Sequence, residues 1–261
     1  MKLAKKSLGQ NFLVDKNIIR KIVNLTSITN KNIIEIGPGY GSLTDEILKK
    51  KPRLLSIIEK DLFLYRQLKF KYSKIKNIKI YSADILNFDL EKIIKNNSII
   101  FGNLPYNISS QILVKILKFK KWPPKFNNLI FMFQKELGDK ILGNYFSKNY
   151  GRLAILANYR LNFSDKFLVS PNCFFPKPKI TSMVINFKPK ERKTYNIKDL
   201  SNLEKITNIF FSKKRKMINK VIKNVLNRRE IQSLGNLKLN SRPSELKPEI
   251  YYKITELYEK K

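Results

Sequence analysis

Ser98-Ile99-Ile100-Phe101-Gly102-Asn103-Leu104-Pro105-Tyr106-Asn107 is an apolar run that passes directly into a polar loop. An apolar run that ends in Gly-Asn and then Pro predicts a buried strand that breaks into a tight turn. The turn offers four groups together: the Asn103 amide, a backbone carbonyl, a rigid proline and the aromatic face of Tyr106. The same residues also fit an ordinary strand end with a core tyrosine, so the rest of the sequence is needed to decide between the two interpretations.

The four groups suit one reaction, the alkylation of the exocyclic amine of adenine. Adenine N6 carries two hydrogens, which the Asn103 oxygen and a loop carbonyl can accept. Holding both hydrogens out of the ring plane takes the nitrogen lone pair out of conjugation and exposes it as a nucleophile. Tyr106 offers a stacking face worth about 1–3 kcal/mol per base. The candidate catalytic residues are Asn103, Leu104, Pro105 and Tyr106.

Strands and helices alternate along the first two thirds of the chain. Apolar runs predict strands at 32–37, 54–59, 78–82 and 129–133, and helical spacing of apolar residues follows each run. This alternation predicts βαβ units, and so an α/β fold with a Rossmann-like parallel sheet that carries helices on both faces. Two later segments, 153–163 and 182–187, are predicted as further strands of the same sheet.

The pattern changes near residue 190. The Lys/Pro/Glu-rich stretch 188–193 is typical of a linker, and beyond it only helical spacing is found, with a last helix that starts near Pro248. We therefore expect a domain at 1–190, which begins with a basic arm at 1–14, and a small all-α domain at 191–261.

A glycine-rich loop follows the first predicted strand. Gly37 and Gly39, with Gly41, let the backbone approach a ligand closely at the carboxyl end of the sheet. A dinucleotide fingerprint needs a further glycine at the position of Ser42, so the loop suits a nucleoside ligand better than a pyrophosphate. A tight turn without a ligand is the alternative.

Acidic and amide side chains end the next three predicted strands. Glu59 is suited to accept from the two hydroxyls of a ribose, and Asp84 is suited to accept from an adenine amino group. Together with Asn103 they are expected at one rim of the sheet, where open α/β sheets bind ligands. Taken alone, each acid fits a surface position better than a binding site, but their coincidence at successive strand ends favours a binding site.

The charge of the chain points to a polyanionic partner. Lysine and arginine total 53 against 20 acidic residues, which gives a formal net charge of +33. Self-repulsion of this size is costly, and binding to a polyanion is its usual reason. Nucleic acid is the favoured partner, and an acidic membrane surface is the alternative.

Two basic segments are candidate RNA contacts. The segment 174–179 sets aromatic rings beside lysines on a proline-rich loop, a combination that stacks unpaired bases and binds their phosphates. The segment 212–216 adds a basic face to the C-terminal helices, although such a run is often only a solvated surface. The candidate RNA contacts are Tyr106, Phe174, Lys177, Lys179, Lys213, Lys214 and Arg215, and we expect one of Phe174 and Phe175 to pack in the core.

Several kinds of chemistry are excluded by composition. The chain has no histidine and one cysteine, Cys173, which excludes a Ser-His-Asp triad, a CxxC redox pair, a disulfide and a His- or Cys-rich zinc site. No apolar run approaches the ~20 residues that span a bilayer. We expect a soluble, monomeric, cytoplasmic protein without a metal.

Seven motifs in this order resemble the KsgA/RsmA-type 16S rRNA adenine N6,N6-dimethyltransferases. They are Gly9-Gln10-Asn11-Phe12-Leu13, Glu35-Ile36-Gly37-Pro38-Gly39, Glu59-Lys60-Asp61, Asp84-Ile85, Asn103-Leu104-Pro105-Tyr106-Asn107-Ile108-Ser109, Tyr150-Gly151-Arg152-Leu153 and Phe174-Phe175-Pro176-Lys177-Pro178-Lys179. The related Erm-type enzymes, which methylate large-subunit rRNA, share part of this set. Pro38, Asn107 and the Tyr150-Gly151-Arg152 run favour the first family.

The resemblance implies an S-adenosylmethionine-dependent methyltransferase fold with a small helical C-terminal domain that binds RNA or the ribosome. It implies as substrate two adjacent adenines in the hairpin loop near the 3′ end of 16S rRNA, each dimethylated during small-subunit assembly. The implied cofactor contacts are Asn11, Leu13, Gly37, Gly39, Glu59, Asp84 and Asn103. Two alternatives stay open here: a non-catalytic RNA-binding assembly factor and a nucleotide-dependent oxidoreductase.

Overall fold

A computed structural model describes residues 10–191, 194–235 and 237–261. The strands of its main sheet are β2 (Asn32–Ile36), β3 (Leu54–Glu59), β4 (Ile78–Ser82), β5 (Ser98–Asn103), β6 (Phe126–Gln134), β7 (Leu161–Val169) and β9 (Ser182–Pro189). Two short strands, β1 (Phe12–Leu13) and β8 (Phe174–Phe175), form a separate two-stranded sheet. Residues 1–9 of the predicted basic arm, and residues 192–193 of the predicted linker, lie outside the described part of the chain.

The main sheet has the strand order β4-β3-β2-β5-β6-β9-β7. The pairs among β4, β3, β2, β5 and β6 are parallel, as the βαβ pattern predicts, whereas β9 pairs with β6 antiparallel. The parallel pairing predicted for the βαβ units is confirmed for these five strands, and the antiparallel strand β9 makes the sheet mixed. β9 lies between β6 and β7 in the sheet. Residues 170–181, all of them described, join β7 to β9 and contain no α-helix of the kind that connects parallel neighbours.

Helices connect several of the strands and follow β9. Their bounds are α1 (Lys16–Val23), α2 (Ser42–Lys49), α3 (Leu62–Lys71), α4 (Ser109–Leu117), α5 (Lys135–Ile141), α6 (Arg152–Arg160), α7 (Leu200–Phe211), α8 (Asn219–Lys223), α9 (Arg228–Ser233) and α10 (Pro248–Tyr258). Asp15 and Asp61 cap α1 and α3, where each carboxylate accepts backbone N–H groups of the first turn. The last helix begins at the predicted Pro248.

The segment 153–163 is the clearest error of the sequence-based secondary structure. It is predicted as a strand, but residues Arg152–Arg160 form α6, and β7 begins only at Leu161. The continuous apolar run Ala154–Ala157 is buried on a helix, and Ala, Leu and Arg are strong helix formers. Most of β7 is exposed, so it lacks the apolar run that would identify it.

The chain divides into two compact units. The first contains the described residues of Met1–Lys115, Lys121–Gly138 and Phe163–Pro189, and the second those of Ile116–Lys120, Asp139–Asn162 and Lys190–Lys261. The second unit thus includes 116–120 and 139–162, which precede the predicted boundary at 190. As a division into domains with separate functions, that boundary stays a prediction.

Each unit has its own apolar core. In the first, the core includes Ile19 and Val23 of α1, Ile33 of β2 and Phe101 of β5. In the second, Ile155, Leu203, Ile206, Phe210 and Tyr251 are among the fully buried side chains. No helix of the described residues is both long enough and apolar enough to cross a membrane.

Candidate active site

The carboxyl ends of four neighbouring parallel strands meet at one edge of the main sheet. In the order of the strands across the sheet, Asp84 follows β4, Glu59 ends β3, Gly37 follows β2 and Asn103 ends β5. All four residues line one open cleft of the first unit, which contains about 1230 Å³ of empty space including space open to solvent. This is enough room for a nucleoside-sized ligand. The predicted strand-end residues are thus brought together.

Each of the three glycines in the glycine-rich loop has a left-handed backbone conformation. The φ angles of Gly37, Gly39 and Gly41 are 67°, 60° and 82°. At Gly39 an added Cβ would lie 2.6 Å from the ring of Phe12, whose side chain covers the loop. Glycine is therefore required at Gly39 both for its backbone conformation and for the packing of the N-terminal segment.

Glu59 is held in one orientation by backbone donors. Its Oε1 accepts a 2.8 Å hydrogen bond from the N–H of Asp61, and its side chain is mostly buried. Burial raises the pKa of Glu59 above its ordinary value, while the N–H groups of Asp61 and Gly39 oppose that rise. The carboxylate gains stability when further donors, such as hydroxyl groups, reach it from the cleft.

Asp84 is more exposed and is paired with a cation. Lys60 Nζ lies 2.8 Å from Asp84 Oδ2, and Oδ1 accepts from the N–H of Leu86. The ammonium group of Lys60, and then the Leu86 N–H, hold the pKa of Asp84 below its usual range. Asp84 is therefore an ionised acceptor at neutral pH.

The Asn103 side chain is oriented by the N-terminal segment. Asn103 Nδ2 donates to the carbonyl oxygen of Asn11 at 3.1 Å. The amide nitrogen of Asn103 is therefore engaged in a hydrogen bond. Within the described residues no donor reaches Asn103 Oδ1, so this oxygen can accept a hydrogen bond at the cleft. Leu104 is only 2% exposed, and Gly102 makes room for it, since a Cβ there would lie 2.6 Å from Leu104 Cδ2. Leu104 lines the cleft but is almost entirely buried.

Tyr106 is half-buried and lines the cleft. Its hydroxyl lies 2.5 Å from Ser182 Oγ, and Ser182 is fully buried at the start of β9. Burial raises the pKa of Tyr106, with the Ser182 hydrogen bond opposing the rise. Pro105 and Asn107 line the same cleft, so the whole loop after β5 faces it.

The N-terminal segment and the aromatic loop pair with one another. Phe12 is opposite Phe175 and Leu13 is opposite Phe174 in the β1–β8 pair. Leu13 and Phe174 are both buried in the core of the first unit, although Leu13 also borders the cleft.

The burial of Phe174 requires a correction. Phe174 is 4% exposed and Phe175 is 56% exposed. The assignment of Phe174 as an RNA contact is therefore wrong, because its ring packs against the core and cannot stack on a base. As expected, one ring of the pair packs and the other is exposed. Lys177 and Lys179 are exposed on the same loop.

The second predicted basic segment belongs to the second unit. Lys213, Lys214 and Arg215 are exposed in the turns that follow α7. Their exposure is compatible with contacts to phosphates, and their role stays a prediction.

Sequence reasoning missed several residues that shape the cleft. Glu35 on β2 is buried, accepts a 2.6 Å hydrogen bond from Thr44 Oγ1, and has its pKa raised to about 8 by burial. Phe12 covers Gly39, and Lys60 pairs with Asp84. Phe12, Glu35 and Lys60 lie within the motifs quoted above, so the sequence does contain a signal by which they could be found. Ser182 has no such signal, because it is 76 positions from Tyr106.

A family model for "Ribosomal RNA adenine dimethylase" matches residues 1–260. The chain belongs to this family. This member of the dimethylase family is 46% identical over 260 residues to the ribosomal RNA small subunit methyltransferase A of Pelagibacter ubique, and the match covers 98% of the chain and 97% of the relative. The protein of the same name from a Wolbachia of Drosophila simulans is 40% identical over 250 residues, and the match covers 93% of the chain and 89% of the relative.

Solved structures show the same fold. A dimethyladenosine transferase from Plasmodium falciparum superposes with a TM-score of 0.75 at 22% identity, covering 93% of this chain and 95% of that one. The 23S rRNA methyltransferase ErmE superposes with a TM-score of 0.70 at 22% identity, and the superposition covers 95% of this chain and 100% of that one. The predicted Rossmann-like methyltransferase fold is confirmed, and so is the resemblance to the adenine dimethyltransferases.

Proposed function

We propose that this dimethylase transfers methyl groups from S-adenosylmethionine to N6 of two adjacent adenines in the 3′-terminal hairpin loop of 16S rRNA, and dimethylates each during small-subunit assembly. One observation carries the proposal. The loop Asn103–Tyr106 opens onto the same cleft as the glycine loop, Glu59 and Asp84, at the ends of four adjacent strands.

The residues of the cleft fit S-adenosylmethionine. The backbone at Gly37 and Gly39 allows close approach, Glu59 would accept from the ribose hydroxyls, and Asp84 would accept from the adenine amino group of the cofactor. Asn11, Leu13 and Asn103 border the remaining wall of the cleft. The bound cofactor supplies a methyl group that is already activated, so the protein contributes placement and electrostatics.

The loop after β5 would position the substrate amine. Asn103 Oδ1 and the carbonyl of Leu104 accept the two N6 hydrogens, and Tyr106 stacks on the base. The hydrogen bond from Asn103 Nδ2 to Asn11 fixes which end of the amide faces the substrate. No strong general base is required, since N6 becomes acidic once alkylated and its proton passes to water or to a loop acceptor. The absence of histidine is therefore no obstacle.

The RNA must present an unstacked base. Extruding an adenine costs a few kcal/mol, which stacking on Tyr106 and contacts to phosphates would offset. Exposed cations on both units are suited to those contacts: Lys177 and Lys179 on the first, and Lys213, Lys214 and Arg215 on the second. An immature small subunit as substrate would place the enzyme in the cytoplasm, and we expect it to act there as a monomer.

Transfer of tritiated methyl groups to unmethylated small ribosomal subunits tests the function. The wild-type protein should incorporate label into 16S rRNA as N6,N6-dimethyladenosine. Asn103→Ala should lose on the order of 10²–10³ in rate, by analogy with the removal of one preorganised polar partner. Asn24→Ala, at an exposed asparagine after α1, should retain the wild-type rate.

The outcome separates the alternatives. Binding to the subunits without any transfer would favour a non-catalytic assembly factor. Thermal stabilisation by NAD but not by S-adenosylhomocysteine would favour an oxidoreductase. Near-normal methyl incorporation by Asn103→Ala would reject the role of Asn103.

A further inference from the structure

A loop of the second unit displays two aromatic rings to solvent. Residues 144–149, which we call the aromatic loop, connect α5 to the segment before α6. Tyr145 is 40% exposed and Phe146 is 71% exposed, and their ring centroids lie 5.2 Å apart. Neither ring belongs to the cleft described above, and neither is part of a sequence motif quoted for the family.

The aromatic loop is fixed at its base. At Gly143 an added Cβ would lie 2.6 Å from the carbonyl oxygen of Asn149, so the two ends of the loop are in close contact. The N–H of Phe146 donates to the carbonyl of Ser244 at 3.1 Å, and Tyr150 Oη donates to the carbonyl of Leu246 at 2.9 Å. The loop therefore holds its two rings on a preformed surface.

Phe146 has an unfavourable backbone conformation for its side chain. Its φ is +67°, which is a left-handed value that bulky residues rarely adopt. Glycine or asparagine would be more stable there, and an exposed ring gains little from burial. Backbone strain of this kind collects at functional sites, where a side chain is held for a purpose other than stability.

Two lysines adjoin the aromatic loop. Lys247 Nζ lies 5.7 Å from the centroid of the Tyr145 ring, and Lys148 is exposed at the end of the loop. The carbonyl of Lys148 accepts from Lys214 Nζ at 3.5 Å, which joins the loop to the basic turn after α7. One carboxylate, Glu249, lines an adjoining cavity. Exposed rings among cations form a surface suited to single-stranded nucleic acid.

We propose that the aromatic loop is a second RNA-binding site, which stacks one unpaired base on Phe146 and Tyr145 and holds the flanking phosphates with Lys148 and Lys247. The occupant is RNA because the rings are flanked by cations on a chain with a net charge of +33. The proposal rests on the rRNA substrate proposed above, and it adds a contact that does not involve the cleft.

Phe146→Asn tests the site in the full-length protein. Asparagine tolerates the left-handed backbone, so the melting temperature should stay unchanged or rise. The affinity for unmethylated small subunits, measured by filter binding, should fall about 5- to 150-fold, as expected for the loss of one stacked base. Lys148→Ala should lower the log–log salt slope of binding by about 0.7–0.9.

Phe70→Asn is the matched control. Phe70 is 86% exposed on α3 and stands between Lys69 and Lys71, so it shares the exposure and the basic neighbours of Phe146. It should bind the subunits within about twofold of the wild type, because stacking energy is lost only where a base is bound.

Two results would overturn the proposal. One is wild-type affinity of Phe146→Asn for the subunits. The other is weaker binding to whole subunits with unchanged binding to protein-free 16S rRNA, which would identify a ribosomal protein as the partner. Failure of the proposed function itself is distinguishable, since it is measured on the wild-type protein, which would then not methylate the subunits whether or not it binds them.

Discussion

At the scale of single residues, the Ser182 hydroxyl holds the ring that would stack on the substrate. It is fully buried and lies 2.5 Å from Tyr106 Oη. Burial raises the pKa of Tyr106, so the phenol stays neutral and the hydrogen bond persists at physiological pH. Ser182 is therefore a positioning residue that acts through Tyr106.

Ser182→Ala and Tyr106→Phe each remove this one hydrogen bond and keep the aromatic face. Each should lower kcat for methyl transfer about 5- to 10-fold, as expected for the net free energy of one hydrogen bond. Neither should change the affinity for S-adenosylhomocysteine. The double variant should be no slower than either single variant, and Ser182→Thr should restore part of the rate. Losses that multiply in the double variant would contradict the shared role.

Gly39 combines a left-handed backbone with a close neighbour. Gly235 is a matched position, because its φ is +73° and no atom of the described residues lies within 4 Å of the Cβ position. Gly235→Ala should cost about 1–2 kcal/mol of unfolding free energy for the backbone alone. Gly39→Ala should cost a further ~1–3 kcal/mol for the contact with Phe12 and should weaken cofactor binding. Urea unfolding and calorimetric titration with S-adenosylhomocysteine measure the two effects, and equal costs at both positions would argue against the Phe12 contact.

At the scale of elements, a buried carboxyl joins strand β2 to helix α2 beside the glycine loop. Glu35 accepts a hydrogen bond from Thr44 Oγ1, and burial raises its pKa from the ordinary 4.5 to about 8. Between these two values the folded state binds a proton that the unfolded state releases. The unfolding free energy therefore falls as the pH rises through this window.

Glu35→Gln should remove that pH dependence. The amide keeps an acceptor for Thr44 but cannot ionise. Urea unfolding of the wild type should lose up to about 1 kcal/mol per pH unit between pH ~5 and ~8, and the variant should show a flatter profile. Glu46→Gln on the same helix should leave the slope unchanged, since Lys49 lowers the pKa of Glu46 and keeps it ionised throughout the window. Parallel profiles for Glu35→Gln and the wild type would contradict the raised pKa of Glu35.

At the scale of the whole molecule, charge governs both stability and binding. The net charge is +33, so the positively charged side chains repel one another in the folded state, and salt screens that repulsion. Salt also competes with the phosphates of RNA for the same cations. Stability and RNA affinity should therefore respond to salt in opposite directions.

Added salt should raise the melting temperature of the protein alone while weakening its binding to small subunits. Lys177→Ala and Lys213→Ala should each lower the log–log salt slope of binding by about 0.7–0.9 if each contacts one phosphate. Lys49→Ala, which removes an exposed lysine already paired with Glu46, should leave the slope unchanged. A slope that none of the lysine variants changes would show that binding does not depend on these cations.

The sequence by itself determined the elements that build the candidate site. The strands β2, β3, β4 and β5 are recognisable from their own residues, and Gly37, Glu59, Asp84 and Asn103 stand at or just after their ends. The strands and the residues at their ends are therefore local properties of the sequence. Parallel strands put their carboxyl ends at one edge, which places those residues together without knowledge of any side-chain contact. The motifs likewise indicate the family from the sequence alone.

Only the tertiary structure decided which side chains of those segments face the cleft. It buried Phe174, left Phe175 exposed and placed the Ser182 hydroxyl beside that of Tyr106. The aromatic loop also became visible only through its exposure and the φ of Phe146. These features depend on contacts between residues far apart in the chain, and neither local propensity nor hydrophobic periodicity carries that information.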